Sequence, residues 1–337
     1  MRKFIFCISF LIYFSLNVTL VTAINDSSYV LLDVDSGRVL YEKNKDKRFL
    51  TASIAKIMTC MVAIEYGNLF DQYIVDYETT TVEGSSIYLK EGDEILLYDL
   101  LCGLMLRSGN DAATLIGKNV FKSTGDFVFH MNYLARIIEM KNSTFENPTG
   151  LNNDTFNYST AYDMTLLMSY AIKNETFYHI SSKKYHNAVT KENDYHWKNK
   201  HKLITSTNYV KSGKTGYTKS SGRTLVSYAE INDMKLVAVS FNEGSDYNLH
   251  KILFDKVKDD FKKTLILERG VYPQEVSYLD YYPCLNEDIF LLIKNDSNVN
   301  IKFNLFEKPN DFCGYYEVYE DGTLILKDTL YPYYPQT

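Results

Sequence analysis

This chain of 337 residues has no excess of basic side chains: 36 Lys and Arg stand against 42 Asp and Glu, a formal charge of −6. An acidic surface argues against nucleic acid as the main partner, because phosphate binding needs clustered cations. No Cys-x-x-Cys pair and no Cys/His cluster occurs, so neither a metal nor a cofactor is expected. No Gly-x-Ser-x-Gly occurs either, which disfavours a histidine-assisted serine hydrolase. His196 and His201 stand in no motif context and are expected at the surface. No internal repeat is found.

What is present begins with a targeting signal. Met1-Arg2-Lys3 is a basic head, Phe4 to Leu20 a mostly apolar run, and Val21-Thr22-Ala23 a set of small residues suited to cleavage. The rival is an uncleaved anchor, but Ser9, Ser15 and Asn17 weaken the run as a permanent span. Residues 1–23 are therefore expected to be a signal peptide. Loss of Arg2 and Lys3 would leave a secreted, extracytoplasmic chain of formal charge −8. Cys7 departs with the leader. Cys60 and Cys102 sit in apolar helical patterns and read as buried thiols. Cys284 and Cys313 are close enough in sequence to form one bridge in an oxidising compartment.

Periodicity gives the organisation. Tyr29 to Leu32 and Arg38 to Tyr41 flank Asp35-Ser36-Gly37 and read as a hairpin. From Ser53 to Glu65, Ile54, Ile57, Met58, Met61 and Ile64 recur at helical spacing, with Gly67 as a stop. Further helices are expected over residues 98–107, 111–121, 126–140, 160–173 and 245–265. Strands are expected at Lys214 to Thr218, Arg223 to Ile231 and Lys235 to Phe241, with a turn at Asn232-Asp233. Strands, a helical block, then strands and a helix suggest an α+β fold with one antiparallel sheet covered by helices. Residues 24–265 would form this unit and residues 266–337 a small β-rich domain.

Ser53 and Lys56 carry the first chemistry. A serine hydroxyl needs a neighbouring base, and a spacing of three on a helix puts both side chains on one face. The helix N-terminus favours a developing alkoxide, and burial beside a second cation would hold the lysine neutral. Alone the pattern is weak, since Ser181-Ser182-Lys183-Lys184 matches it too. Ser108-Gly109-Asn110 and Lys214-Thr215-Gly216 follow, each with its own decoy in Ser206-Thr207-Asn208 and Lys211-Ser212-Gly213. Together, in this order, they match the motif set of serine β-lactamases and penicillin-binding proteins.

The flanking residues sharpen the match. Thr51-Ala52-Ser53-Ile54-Ala55-Lys56-Ile57-Met58-Thr59, Glu83-Gly84-Ser85-Ser86 and Leu104 through Ala113 come first. Phe145-Glu146-Asn147-Pro148-Thr149-Gly150-Leu151, Ser159 through Met164, and Gly213-Lys214-Thr215-Gly216-Tyr217-Thr218 with Gly222 through Val226 follow. The chain resembles the low-molecular-mass D-alanyl-D-alanine carboxypeptidases of bacterial cell walls over about residues 28–265. The resemblance implies a β-lactamase/transpeptidase-like fold and removal of the terminal D-alanine from peptidoglycan stem peptides. It implies Ser53 as the acylated nucleophile, Lys56 as its base and Ser108 as a proton relay to the leaving D-alanine. Asn110 would line the cleft. Lys214 and Thr215 would hold the substrate carboxylate, with Lys214 lowering the pKa of Lys56. Gly216 leads to Tyr217, whose backbone N–H would form the oxyanion hole with that of Ser53. β-Lactam antibiotics would be inhibitors.

Two departures occur. Thr149 stands where many relatives have His, with no chemical role assigned there. Lys200, in the basic run Trp197 to Lys202, is a candidate carboxylate contact beside the plainer reading of a solvated loop. Asp111 and Asp163 are expected to cap helices. A β-lactamase would need a deacylating glutamate, and Glu146, the nearest candidate, sits in a carboxypeptidase-like context. Endopeptidase, transpeptidase and non-catalytic sensor readings share the same motifs. In the tail, Pro332 and Pro335 forbid a regular helix, so no C-terminal membrane anchor is expected.

Overall fold

The structure is a computed structural model describing residues 26–272 and 279–335; the expected leader lies outside the described residues. The chain starts with antiparallel strands β1 (Ser28–Asp33) and β2 (Val39–Lys43). Strand β3 (Phe49–Leu50) leads into a 3-10 turn (Ala52–Ala55) that runs directly into helix α1 (Lys56–Tyr66). Next come β4 (Gln72–Ile74), α2 (Tyr77–Thr80), β5 (Glu94–Leu96), and helices α3 (Leu97–Arg107), α4 (Asn110–Asn119) and α5 (Thr124–Ile137). Strand β6 (Tyr158–Ser159) pairs with β3, and α6 (Ala161–Ala171) and α7 (Glu175–Ser181) follow. A hairpin of β7 (Tyr185–Val189) and β8 (Asp194–Lys198), then α8 (Lys202–Ser206), precedes the long strands β9 (Val210–Thr218), β10 (Gly222–Ile231) and β11 (Met234–Phe241).

The main sheet is antiparallel throughout, in the order β2-β1-β11-β10-β9. Successive side chains of a strand point to opposite faces, and β11 shows both faces covered. Val237, Val239 and Phe241 belong to the core that α6, α1 and α3 also enter, whereas Leu236 and Ala238 share a second core with Leu253, Phe254 and Val257. Those last three lie on helix α9 (Asp246–Asp260). Helix α1 is buried from Lys56 to Ala63, as expected of a helix apolar on nearly every side. Strand β9 is the sheet edge, and its free side lies against the turn that carries Ser53.

The expected helix over residues 245–265 ends at Asp260. Phe261 begins strand β12 (Phe261–Leu267), paired with β15 (Ile289–Lys294), and it packs with Leu292 in the core. The remaining strands are β13 (Gly270–Val271), β14 (Tyr282–Leu285), β16 (Val299–Leu305), β17 (Gly314–Glu320) and β18 (Thr323–Tyr333), in the order β13-β14-β18-β17-β16. Arg38 ties this region to the first hairpin, donating to Leu292 O at 2.5 Å and pairing with the buried Glu320 carboxylate. The bridge considered for Cys284 and Cys313 is absent, and both thiols are free. Cys284 lies opposite Tyr331 on one side of β18, while Cys313 hydrogen-bonds Leu330 on the other. An intervening strand separates them by two spacings, about 9–10 Å, beyond the reach of a disulfide. The tail forms a strand, and among the described residues no helix is long and apolar enough to cross a membrane.

Candidate active site

Ser53 sits in the second position of the 3-10 turn, just after Ala52, whose φ of +46° is left-handed. A residue with a Cβ pays for that conformation in strain, and such strain clusters where a side chain must be aimed. Gly150, at φ +78°, packs against Ala52 so closely that any Cβ there would collide with the Ala52 carbonyl oxygen. Its loop is fixed by Asn147 Oδ1, which accepts from the backbone N–H groups of Thr149 (3.1 Å) and Gly150 (2.7 Å).

Lys56 follows on the first turn of α1, fully buried. Its Nζ donates to Ser53 Oγ at 3.1 Å, to Asn110 Oδ1 at 2.7 Å and to the Thr149 carbonyl. Burial, with some help from the Lys200 charge and opposed by Asp111, pushes the Lys56 pKa down to about 7. Lys214 is buried as well, and burial followed by the Lys56 and Lys200 charges holds it well below the ordinary lysine value. The expected repulsion between the two lysines therefore falls on Lys214.

Ser108 caps α3 in a left-handed conformation, φ +67°. Its hydroxyl is buried and has no hydrogen-bond partner among the described residues. Asn110 is buried rather than lining the cleft. Its amide nitrogen donates to Glu83 O at 2.7 Å, which turns its oxygen toward Lys56. Gly216 is where β9 meets the nucleophile turn, since a Cβ there would lie 2.9 Å from the Ser53 backbone nitrogen. Gly213 faces the other way: a Cβ there would meet Val226 O and the His201 ring. Lys211 points out to Asn208 O, at 2.8 Å.

These groups converge on a cleft of about 400 Å³ lined by Ser53, Ser85, Ser108, Thr215, Gly216 and Tyr217. Lys200, Lys202, Arg223, Asp246 and Tyr247 complete the wall, and of these only Lys200 was foreseen. Lys200 Nζ donates to Ser85 Oγ at 3.0 Å. Arg223 is held by Asp246 at 2.8 Å and lies 5.7 Å from the Tyr247 ring centre. A larger cavity elsewhere contains none of the motif residues.

Several expectations are corrected here. His201 is buried, not at the surface. Its Nε2 lies 3.0 Å from Ser227 Oγ, and burial lowers its pKa to about 4. The alternation of buried Tyr195, Trp197, Asn199 and His201 was the signal that could have revealed it. His196 is exposed as expected. Asp111 does not cap α4: its carboxylate accepts from Ser86 Oγ (2.5 Å) and from the N–H groups of Ile87 and Leu89, fastening the loop behind Ser85. Asp163 likewise accepts from Asn142 N–H and the Ser143 hydroxyl, while Thr160 caps α6. Two decoy serines satisfy each other, Ser212 Oγ donating to Ser181 Oγ at 2.6 Å.

A family model described as D-alanyl-D-alanine carboxypeptidase matches residues 16–245. The D-alanyl-D-alanine carboxypeptidase DacF of Bacillus subtilis is 33% identical over 64% of this chain and 56% of the relative. DacC of Escherichia coli is 31% identical over 66% and 58%. The chain thus spans a little over half the length of these curated relatives. Among solved structures, penicillin binding protein 5 from Haemophilus influenzae is similar, with a TM-score of 0.78, 25% identity, and coverage of 91% of this chain and 96% of that one. The fold is therefore the penicillin-binding, β-lactamase/transpeptidase-like α+β fold.

Proposed function

We propose, given that the chain belongs to the D-alanyl-D-alanine carboxypeptidase family, that it removes the terminal D-alanine from peptidoglycan stem peptides through a Ser53 acyl-enzyme. The observation that carries this reading is the buried Lys56 ammonium, 3.1 Å from Ser53 Oγ and pushed down to a pKa of about 7. A base must first lie within hydrogen-bond reach and then titrate near the working pH, and Lys56 meets both conditions.

In this reading Ser53 Oγ attacks the penultimate D-alanine carbonyl as Lys56 takes its proton. The Ser53 and Tyr217 backbone N–H groups stabilise the oxyanion, a contribution of about 3 kcal/mol per donor in comparable sites. The C–N bond breaks and Ser108 passes a proton to the departing amine. Water then cleaves the ester with the proton path reversed. Lys214 and Thr215 receive the substrate carboxylate, and Asn110 holds Lys56 in place. As the sheet edge, β9 offers unpaired backbone groups along which an extended peptide can lie. The site works without a metal or cofactor. We place catalysis in residues 24–265, with residues 266–337 as an accessory β unit, and the mature protein outside the cytoplasmic membrane.

A fluorescent penicillin tests the nucleophile. Wild type should label covalently, with a long-lived adduct since no deacylating glutamate is evident, and Ser53→Ala should not label while remaining folded. Persistent labelling of Ser53→Ala, or rapid drug turnover by wild type, would sink the assignment. Mass spectrometry of muropeptides then identifies the reaction: loss of only the terminal D-alanine supports a carboxypeptidase, and cleaved cross-links support an endopeptidase.

A further inference from the structure

A separate cavity of about 340 Å³ opens where the turn after β1 meets the C-terminal strands. Asp35, Lys263, Glu287, Asp288, Asp328 and Tyr316 line it, together with apolar side chains of the 289–291 segment. The Asp35 charge is already compensated by Lys235 at 3.3 Å and Lys263 at 3.0 Å. Glu287, Asp288 and Asp328 have no ion-pair partner among the described residues. Three such carboxylates on a surface are ordinarily just solvated.

Tyr316 makes this place different. The residue is 0% exposed, and its hydroxyl has no hydrogen-bond partner among the described residues. On the sheet it stands directly opposite Asp328, and cross-strand partners share a face. Burial, with Asp328 and Glu287 nearby, pushes the phenol above its ordinary pKa. A buried polar group without a partner is costly, and it points to a missing one.

The partner is not a metal ion, because no group of three or more His, Cys, Asp or Glu among the described residues converges closely enough to hold one. Acidic groups spread around apolar walls suit a larger cation that donates several hydrogen bonds. Lys263 already shows such a pose: its ammonium lies 5.7 Å from the Phe290 ring centre and reaches Asp35.

We propose that this cavity binds an organic primary ammonium group, its alkyl stem along the Phe290 wall and its N–H donors shared among the Tyr316 hydroxyl, Asp328 and Glu287. The volume falls within the range of small-ligand sites. The ligand is either a free diamine or the amino group of a peptide side chain, which present the same head group. This site is separate from the Ser53 cleft and does not depend on the function proposed for it.

Calorimetric titration of the full chain with 1,5-diaminopentane and with an acetylated lysine tripeptide amide tests the proposal. Saturable one-to-one binding of either probe is expected. It should weaken about tenfold in the double variant Glu287→Gln, Asp328→Asn, as for the loss of two partly exposed charge contacts. Tyr316→Phe should weaken it severalfold. Penicillin labelling should be unchanged in all variants, which also verifies folding. The carboxylate variants alter exposed residues, so the test stands even if Tyr316→Phe does not fold. Binding of the diamine alone assigns a free amine, and tighter binding of the peptide assigns a side chain. Absence of saturable binding by both probes, or binding unaffected by the double variant, overturns the site.

Discussion

If Lys56 is the base, acylation must follow its deprotonation. An ordinary lysine with a pKa near 10.4 is neutral in only about one molecule in 2,500 at pH 7. At a pKa of about 7, half of the Lys56 side chains are neutral at that pH. The neutral fraction then falls to about one in eleven a unit lower and about one in a hundred two units lower, following ordinary proton-binding equilibrium. The sign is fixed by the chemistry: the neutral amine takes the proton, so the rate is present above the pKa and lost as pH falls through it. Second-order rate constants for a fluorescent penicillin between pH 5 and 8.5 should therefore rise about tenfold per unit at first, then level above pH 7.5.

A second variant separates Lys56 from any other titrating group. The Lys200 charge contributes to the depression of the Lys56 pKa, after burial. Lys200→Met keeps an apolar stem and removes the charge, so the inflection should move to higher pH. A rate independent of pH over this range refutes the assignment, as does an inflection that stays put in Lys200→Met while wild type titrates near 7.

Three further outcomes follow from the geometry. Lys214→Ala should slow penicillin acylation by about a hundredfold or more, the loss of a charge-assisted contact of roughly 3 kcal/mol, whereas Lys211→Ala should change it by less than about threefold; a larger loss at Lys211 would reverse the choice between the triplets. Ser108→Ala removes a buried hydroxyl that has no partner among the described residues, so its urea midpoint should stay near that of wild type while hydrolysis of a D-alanyl-D-alanine peptide falls by about a hundredfold or more. Gly150→Ala should cost about 2 kcal/mol or more in urea unfolding, because it combines a left-handed φ of +78° with a collision against the Ala52 carbonyl; unchanged stability would mean that the turn can relax.

The candidate side chains of the cleft were legible because each lies in a motif with distinctive neighbours. Lys214 could be preferred to Lys211 from the residues after it, and the edge strand buries the first and leaves the second half-buried, turned toward Asn208 O. What escaped was carried by backbone. Thr149 drew notice for its side chain, yet its carbonyl is what accepts from Lys56, and a carbonyl has no residue-type signature. Gly213 and Gly216 differ only in which face of β9 they occupy, so no residue type marks Gly216 as the one that meets the nucleophile turn. Asp111 read as a cap from its place near a helix start, but loop donors from Ser86 to Leu89 claim it. Long-range satisfaction of buried polar groups is a property of the assembled fold and leaves little local trace.

One consequence of the proposed mechanism concerns the empty cleft. Lys56 and Lys214 are both buried, and the first turn of α1 has no acidic residue to offset them. Among the described residues Asp111 is the acid that acts on Lys56, and its oxygens already serve loop donors. Two ammonium groups in so dry a place oppose each other, so the resting cleft favours neutral lysine. A substrate carboxylate arriving at Lys214 reverses that preference locally, and Lys214 takes up a proton as the ligand binds. Lys56 then faces a fresh cation and stays neutral, the state that can accept the Ser53 proton. Binding of acetyl-D-Ala-D-Ala to Ser53→Ala, which cannot turn over, should therefore draw protons from solution at pH 8. Calorimetry in two buffers of different ionisation enthalpy reads that uptake directly. The C-terminal amide of the same peptide should bind more weakly and take up none. If the carboxylate ligand binds with no proton uptake, Lys214 is already charged in the resting cleft, and the step in which substrate binding supplies the cation beside Lys56 is refuted.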